Sequence, residues 1–414
     1  MSAKREPRGT VLITDAGRGS AIAFIRSLGR SGWRVVATDS IANSIGFRSR
    51  YAAHHAVYPN PEHAPDAFVA WMLDIVREQQ VDLIVPITDT AILPLSAAAA
   101  AFADICTLAL PDPDALRKVT DKQQTLDLAE SLGIPTPKTR LVTTVEEACD
   151  TIASFGFPLV LKPRASKLYH ASEGIEAYSV TYANTPEQLV HEMRRFEGRC
   201  AVLIQQYCAG VGCGVEVLAH RGKPLFVFQH QRLREVPLTG GASSFRQSVP
   251  LDPQLYDYTT RLIQALNWTG LAMVEFKVGA QRTTLMEING RVWGSLPLAV
   301  HSGVDFPRRL VELLLEGKPA DQSAARPPET SYQLGVRSRN LQLDMVWIAA
   351  VLSGRRRYPF IRQPKRREAV TALLGIFNPR NRFDILSLED PMPGLAELPR
   401  IVRNMSSKRK RLHA

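Results

Sequence analysis

Glu275, Glu287 and Asn289 lie in a stretch, LAMVEFKVGAQRTTLMEINGRVWGS at 271–295, whose apolar and polar residues alternate on both sides of Gly279-Ala280-Gln281-Arg282. A period of two marks a half-buried strand, and two such runs around a short turn read as a hairpin. Val274, Phe276 and Val278 then share one face with Met286 and Ile288, while Glu275, Lys277, Glu287, Asn289 and Arg291 take the other. A three-residue loop at 280–282 places Glu275 directly opposite Glu287. Two carboxylates about 5 Å apart on a half-buried face repel each other, so a cation beside them is expected. Mg²⁺ suits them because it favours hard oxygen ligands, takes one or two protein carboxylates, and fills its octahedron with water and substrate phosphates. The same pattern also describes a solvated ribbon whose charges merely alternate.

Two lysines have the spacing to meet a phosphate. Lys122 follows Thr120-Asp121 in the first turn of a helix with capping-box spacing, where free amides and the helix dipole favour an anion. Lys162 ends the apolar run 157–161, where packing explains a lysine poorly and a phosphate explains it well. The polar residues 165–174 after it read as a mobile loop over the site. Arg232 and Arg234 precede a glycine-serine loop holding Gly240, Gly241 and Ser243, a combination suited to phosphate or carboxylate and equally to a solvated surface loop. No Ser-His-Asp or Cys-His arrangement competes for the chemistry.

The elements that must carry these residues follow from the hydrophobic pattern. Residues 1–118 alternate apolar runs (TVLITDAG, WRVVATDS, VDLIVPIT, TLALP) with helical stretches, which predicts a Rossmann-like parallel sheet. Gly17-Arg18-Gly19 and Asp39 give only part of a dinucleotide fingerprint. Strands and helices then mix in an α+β pattern over 119–320. Residues 321–330 (DQSAARPPET) read as a linker.

Charge is distributed unevenly. The net +11 belongs to residues 331–414, with 17 Lys and Arg against 6 Asp and Glu, so arguments about nucleic acid or membrane concern that region alone. There LQLDMVWIAAVLSG at 341–354 is an apolar helix flanked by basic clusters at 355–357 and 365–367. It fits either an anionic membrane surface or docking on the protein's own body, and nucleic acid less well, since no stacking platform accompanies the charge. The final SSKRKRLHA is expected to be disordered. Five cysteines without a CxxC pair argue against a disulfide framework or zinc site. With no apolar run of membrane-spanning length and no signal-peptide pattern, the expected place is the cytoplasm, with peripheral contact at the inner membrane face through the basic tail.

In order, Asp121-Lys122, Leu161-Lys162-Pro163, Ile204-Gln205-Gln206-Tyr207, Val274-Glu275-Phe276 and Met286-Glu287-Ile288-Asn289-Gly290-Arg291 resemble the ATP-grasp superfamily of ligases. The likeness runs from Lys122 to about Gly317 and looks closest to ATP-dependent carboxylate–amine ligases. It implies a Rossmann-like domain (1–118), a small lobe (119–200), a metal-bearing lobe (201–320) and a basic extension (321–414). It implies that Lys122 and Lys162 contact ATP phosphates and that Gln205, Gln206 and Tyr207 form the adenine hinge. Glu275, Glu287 and Asn289 would hold Mg²⁺ or Mn²⁺, and Arg291 would steady an acyl phosphate. An acidic residue usual just beyond the hinge is missing from CAGVGCG at 208–214, leaving Glu216 as the candidate for the ribose. Loop 165–174 also lacks the family's glycine richness. The implied partners are a small-molecule carboxylate and an amine, with a homodimer as the assembly. A carboxylase or kinase acting on bicarbonate or another small acceptor, or a nucleotide-binding module without turnover, is the alternative.

Overall fold

Residues 10–13, TVLI, are buried at every position because both faces of the strand they form are covered by helices. The computed structural model describes residues 7–170, 174–317, 332–354, 359–361 and 363–411. In chain order the first unit comprises β1 (Thr10–Ile13), α1 (Gly19–Arg30), β2 (Arg34–Asp39), β3 (His54–Val57), α2 (Pro65–Gln79), β4 (Leu83–Val85), α3 (Asp89–Ala97) and β5 (Thr107–Leu108). Its sheet is all parallel in the order β3-β2-β1-β4-β5, the expected Rossmann-like arrangement. β3, HHAV, has no apolar run and escapes a pattern search.

The β1–α1 turn does not offer a dinucleotide site. Gly17 donates its N–H to Asp39 Oδ2 at 2.8 Å, and Ser44 Oγ donates to the same oxygen at 2.7 Å, so the acid that would hold a ribose closes its own loop. A Cβ on Gly19 would stand 3.3 Å from that of Asp384, which comes from the C-terminal region.

Next come α4 (Pro113–Thr120), α5 (Lys122–Ser131), β6 (Thr139–Val142), α6 (Val145–Cys149), α7 (Ile152–Phe155), β7 (Leu159–Pro163), β8 (Lys167–His170), β9 (Gly174–Ala177), β10 (Thr181–Ala183), α8 (Pro186–Met193) and β11 (Val202–Gln206). A four-stranded antiparallel sheet, β10-β7-β11-β6, closes over its own core of Leu159, Leu161, Leu189 and Ile204. This lobe runs to Gln206, beyond the 119–200 limit expected from the sequence, whereas α4 and α5 pack on the following sheet. Of the loop expected at 165–174, residues 171–173 lie outside the described residues, and 167–170 with 174–177 are not a loose cover. They form the β8–β9 ribbon, pinned to the first unit by Lys167 Nζ on Glu62 Oε1 at 2.9 Å and by the Ile175 N–H on the Glu62 carbonyl.

β12 (Val211–His220), β13 (Lys223–Val236), β14 (Ala242–Ser248), α9 (Pro253–Ala265), β15 (Gly270–Val278), β16 (Thr283–Asn289), α10 (Leu296–His301) and α11 (Phe306–Glu316) follow. Then come β17 (Arg337–Arg339), α12 (Leu341–Ser353), α13 (Arg366–Leu374), β18 (Asn381–Phe383) and α14 (Pro391–Arg411). One sheet unites them in the order β16-β15-β12-β13-β14-β17-β18. Val215, Val274, Phe276 and Leu285 pack one face against α4, α5 and α9. The opposite face is apolar at Met273 and Phe228, where it meets α10, α11 and α1, and turns polar two residues along each strand. Burying each such large apolar side chain stabilises the fold by about 1.5–3 kcal/mol.

The C-terminal region is therefore part of the body rather than a tail. β17 and β18 extend the sheet, and Asp344 of α12, wholly buried, receives Arg234 at 2.7 and 2.9 Å and Arg339 at 3.1 Å. Trp347, Ile348 and Val351 pack inward on α13, so the apolar stretch 341–354 docks on the protein itself, the second of its two expected settings. Beyond it, Arg26 of α1 holds Asp390 at 2.9 Å, and α14 lies along the first unit, its helix continuing through Arg411 where disorder was expected from 406 on, while 412–414 lie outside the described residues. The linker 321–330 and the cluster 355–357 lie outside the described residues. Among the described residues no helix is long and apolar enough to cross a membrane.

Candidate active site

Glu275 and Glu287 face each other, as the hairpin pattern predicts, but by a different route. The turn holds four residues, since Val278 pairs with Thr283, and a bulge beside Glu275 shifts the ladder by one, so that Phe276 pairs with Leu285 and Glu275 with Glu287. Met286, expected in the core, is the bulged residue and faces the cavity, and Leu285 takes its place inside. Asn289 bridges the two acids, its amide donating to Glu275 Oε1 at 3.1 Å and Glu287 Oε1 at 3.2 Å. Gly290 follows because the Trp268 ring would lie 2.5 Å from a Cβ there.

Cations surround this pair. Arg232 Nη2 reaches Glu275 Oε2 at 2.5 Å, while its Nη1 donates to Glu235 Oε1 at 3.2 Å and the Gly241 carbonyl at 2.9 Å. Arg232 reaches over β12 at Gly212, where a Cβ would lie 2.9 Å from its Cδ, and at Gly214 a Cβ would lie 2.5 Å from the His230 ring and 3.1 Å from Met273 Sδ. Burial pushes Glu275 above the usual carboxylate range, with Arg232 opposing it and Glu287 adding to it. Burial acts on Glu287 too, but Lys122 and Lys162 outweigh it and hold that carboxyl below its ordinary value. Burial lowers both lysines, with Glu287 opposing it in each case.

Lys122, Lys162, Gln205, Glu287, Asn289 and Arg291 line one cavity of about 130 Å³ between the two lobes. Lys122 is the first residue of α5, whose cap is Asp121 rather than Thr120: Asp121 accepts the N–H groups of Gln123 and Gln124. Lys122 Nζ donates to Ser166 Oγ at 2.7 Å, and Lys162 is delivered by β7 into the interior. Arg291 Nε donates to Asp89 Oδ2 at 2.9 Å.

Other expected residues are placed differently. Gln206 and Tyr207 stand at the lobe boundary, their N–H groups donated to the carbonyls of Lys138 and Pro158, and the Tyr207 ring meets Phe360 edge-on at 4.7 Å. Glu216 is not available to a ribose. It is fully buried on the sheet, with Oε1 2.5 Å from His230 Nδ1 and Ser295 Oγ 3.4 Å away. Arg234 turns from Arg232 across a bulge and is committed to Asp344, stacked on Phe245 and Trp347, so it anchors α12. Gly240 approaches Lys277, Gly241 supplies its carbonyl to Arg232, and Ser243 Oγ donates to the Phe245 carbonyl. The sequence reading missed Asp89, Ser166 and Lys167 in the cavity wall; only the position of Asp89, just past the strand run VDLIVPIT, hinted at a role.

Whether this donor set suits Mg²⁺ can be judged from its chemistry. It offers two opposed carboxylates and an amide whose oxygen and nitrogen exchange by a simple flip, a hard-oxygen set with space for phosphate. The described residues contain no cluster of three His, Cys, Asp or Glu, and Mg²⁺ does not need one.

Residues 199–338 match the family described as ATP-grasp in the biosynthetic pathway with Ter operon, and residues 113–175 match the ATP-grasp domain. The chain is 27% identical over 238 residues to the carbamoyl phosphate synthase large chain of Thermomicrobium roseum, covering 53% of this chain and 21% of that one. It thus spans about a fifth of the length of such relatives. Among solved structures, the biotin carboxylase domain dimer of Hydrogenobacter thermophilus 2-oxoglutarate carboxylase, in complex with MgADP, ADP and bicarbonate, superposes with a TM-score of 0.59 at 18% identity, covering 80% of this chain and 73% of that one. The L-amino acid ligase of Bacillus licheniformis gives 0.57 at 14%, covering 75% of each. The fold shared with these proteins is the ATP-grasp fold.

Proposed function

We propose that this chain, an ATP-grasp protein preceded by a Rossmann-like unit, is an ATP- and Mg²⁺-dependent ligase that activates a carboxylate as an acyl phosphate for attack by an amine. The observation that carries the reading is the convergence of Glu287, Asn289, Arg291, Lys122 and Lys162 on one cavity, with Glu275 paired opposite Glu287. A magnesium ion held by Glu275, Glu287 and Asn289 would neutralise phosphate charge. Lys122 and Lys162 bind the phosphates, and their depressed pKa values reflect a dry site in which each charge acts strongly.

A substrate carboxylate oxygen attacks the γ-phosphorus, the bond to the β-phosphate oxygen breaks, and ADP departs. Arg291 lies where it can stabilise the acyl phosphate. The amine then adds to the acyl carbon, loses its proton, and expels inorganic phosphate. Positioning and charge neutralisation suffice for such transfers, with no covalent protein intermediate. Gln205, Gln206 and Tyr207 contribute the adenine boundary, with the Gln206 carbonyl at the lobe edge.

Phosphate release by purified protein, screened against pools of carboxylic acids, amino acids and bicarbonate, tests the proposal. Release that needs both a carboxylate and an amine is the expected result. Release with bicarbonate alone would point to a carboxylase, and ATP binding without acceptor-dependent turnover, unaltered by Glu287→Gln, would defeat the ligase reading.

A further inference from the structure

A second cavity, of about 580 Å³, lies where β13 meets α12 and α13, with Arg232, Leu233, Leu238, Trp347, Arg367 and Glu368 in its wall. Its volume falls within the range of small-molecule sites. Arg232 belongs to both cavity and reaction centre, since the guanidinium that lines it also grips Glu275. The bulges on either side of Arg234 turn Leu233 outward, 41% exposed, to form an apolar wall with Leu238 and Trp347.

The charges of the wall are mostly answered from within. Arg234 is neutralised by Asp344, and Glu235 is shared by Arg232 and by Lys277 at 3.1 Å. Glu368 accepts the Lys365 N–H at 3.0 Å at the start of α13. Arg367 alone among the lining cations has no ion-pair partner within the described residues. Arg367 and the neighbouring Glu368, which a backbone N–H holds but no cation among the described residues neutralises, are the charges left beside the apolar wall.

We propose that this cavity, built half from the C-terminal region, binds a co-substrate consisting of a free carboxylate on an apolar or aromatic body. Its carboxylate meets Arg367, its body rests on Leu233, Leu238 and Trp347, and its other end points to Arg232 and the reaction centre. This inference rests on the ligase reading and names a substrate class for it. Two sources share the chemistry: an amino acid serving as amine donor through an amine at the end remote from its carboxylate, or a dicarboxylate whose second carboxyl is activated.

Calorimetry and ligand-observed NMR on the full chain, with 4-(aminomethyl)benzoate, phenylsuccinate and 4-(aminomethyl)benzamide as probes, test it. At least one carboxylate probe should bind and the amide should not. Arg367→Ala should weaken that binding roughly 10- to 100-fold, the loss of one charge-assisted hydrogen bond, and leave MgATP affinity unchanged. Leu233→Glu, at an exposed position, should weaken it as well by repulsion. Preference for 4-(aminomethyl)benzoate identifies the amine donor, and preference for phenylsuccinate the acid. Equal binding of the amide, no binding of any probe, or unchanged affinity in both variants overturns the assignment. The two readings fail separately: acceptor-dependent ATP turnover with an unaltered acceptor KM in Arg367→Ala sinks the cavity alone, whereas carboxylate binding without any turnover sinks the ligase alone.

Discussion

Arg291 on the strand exit of β16 and Asp89 at the start of α3 meet at 2.9 Å, joining two units whose residues lie 202 positions apart. Burial lowers the pKa of Arg291 and Asp89 outweighs it, so the guanidinium stays charged in the cavity wall. Arg291→Met should reduce kcat by about 10²- to 10³-fold, the cost of losing one preorganised charge at a reacting oxyanion. Asp89→Asn should cost less than that, because it frees the arginine without removing it. Steady-state phosphate release checks both, and equal kcat for Arg291→Met and the parent would remove Arg291 from the reaction.

Metal dependence is tested on Glu287. Chelation by EDTA should abolish acceptor-dependent turnover, and excess Mg²⁺ should restore it. Glu287→Gln should raise the Mg²⁺ concentration needed by at least roughly 10- to 100-fold, the range for losing even a supporting partner of a metal ligand. A titration curve that does not move in this variant shows that the hairpin carboxylates serve another purpose.

Asp344 holds two arginines, Arg234 and Arg339, on the buried side of α12. Asp344→Ala leaves both without their carboxylate and should destabilise the protein by about 3–5 kcal/mol, as breaking a buried pair does. Arg337, exposed at the same strand, should cost almost nothing when replaced by alanine. Denaturant unfolding of the two variants gives the comparison, and similar midpoints would mean that α12 is held by its apolar face alone.

Glu397 of α14 should make that contact pH-dependent. Burial first, and Asp384 second, push its carboxyl up to about 7 from an ordinary 4.5. The folded protein therefore binds this proton more tightly than the unfolded chain. That contribution is fully present below the unfolded value and is lost as pH rises through the folded one. Glu397→Gln removes the titration, so the variant should match the parent in Tm near pH 4.5 and exceed it above pH 7. A Tm difference that stays constant across this window would show that the carboxyl does not titrate there.

What the sequence discloses depends on the distance over which each contact acts. The parallel sheet and the carboxylate hairpin are local patterns, and both are legible in runs of fewer than ten residues. Glu216 was misplaced because its partner His230 sits on the neighbouring strand and closes it into the sheet, a pairing that spacing does not reveal. β17 and β18, three residues each, carry no periodic signal. Counting charge made residues 331–414 look like a basic tail, yet Arg339 is internal and paired with Asp344. The glycines of β12 were visible as spacing, and their reason, room for Arg232 and His230 across the strand, belongs to the assembled sheet.

The bulge at Met286 has a consequence for how the hairpin tolerates change. A four-residue turn with the bulge and a three-residue turn without it lead to the same partner for Glu275. Deleting one residue from 279–282 can be absorbed by returning Met286 to the ladder, and the two acids still meet. Length variation at the tip is thereby decoupled from the carboxylate end, giving the turn a freedom to vary that Glu275 and Glu287 beneath it do not share.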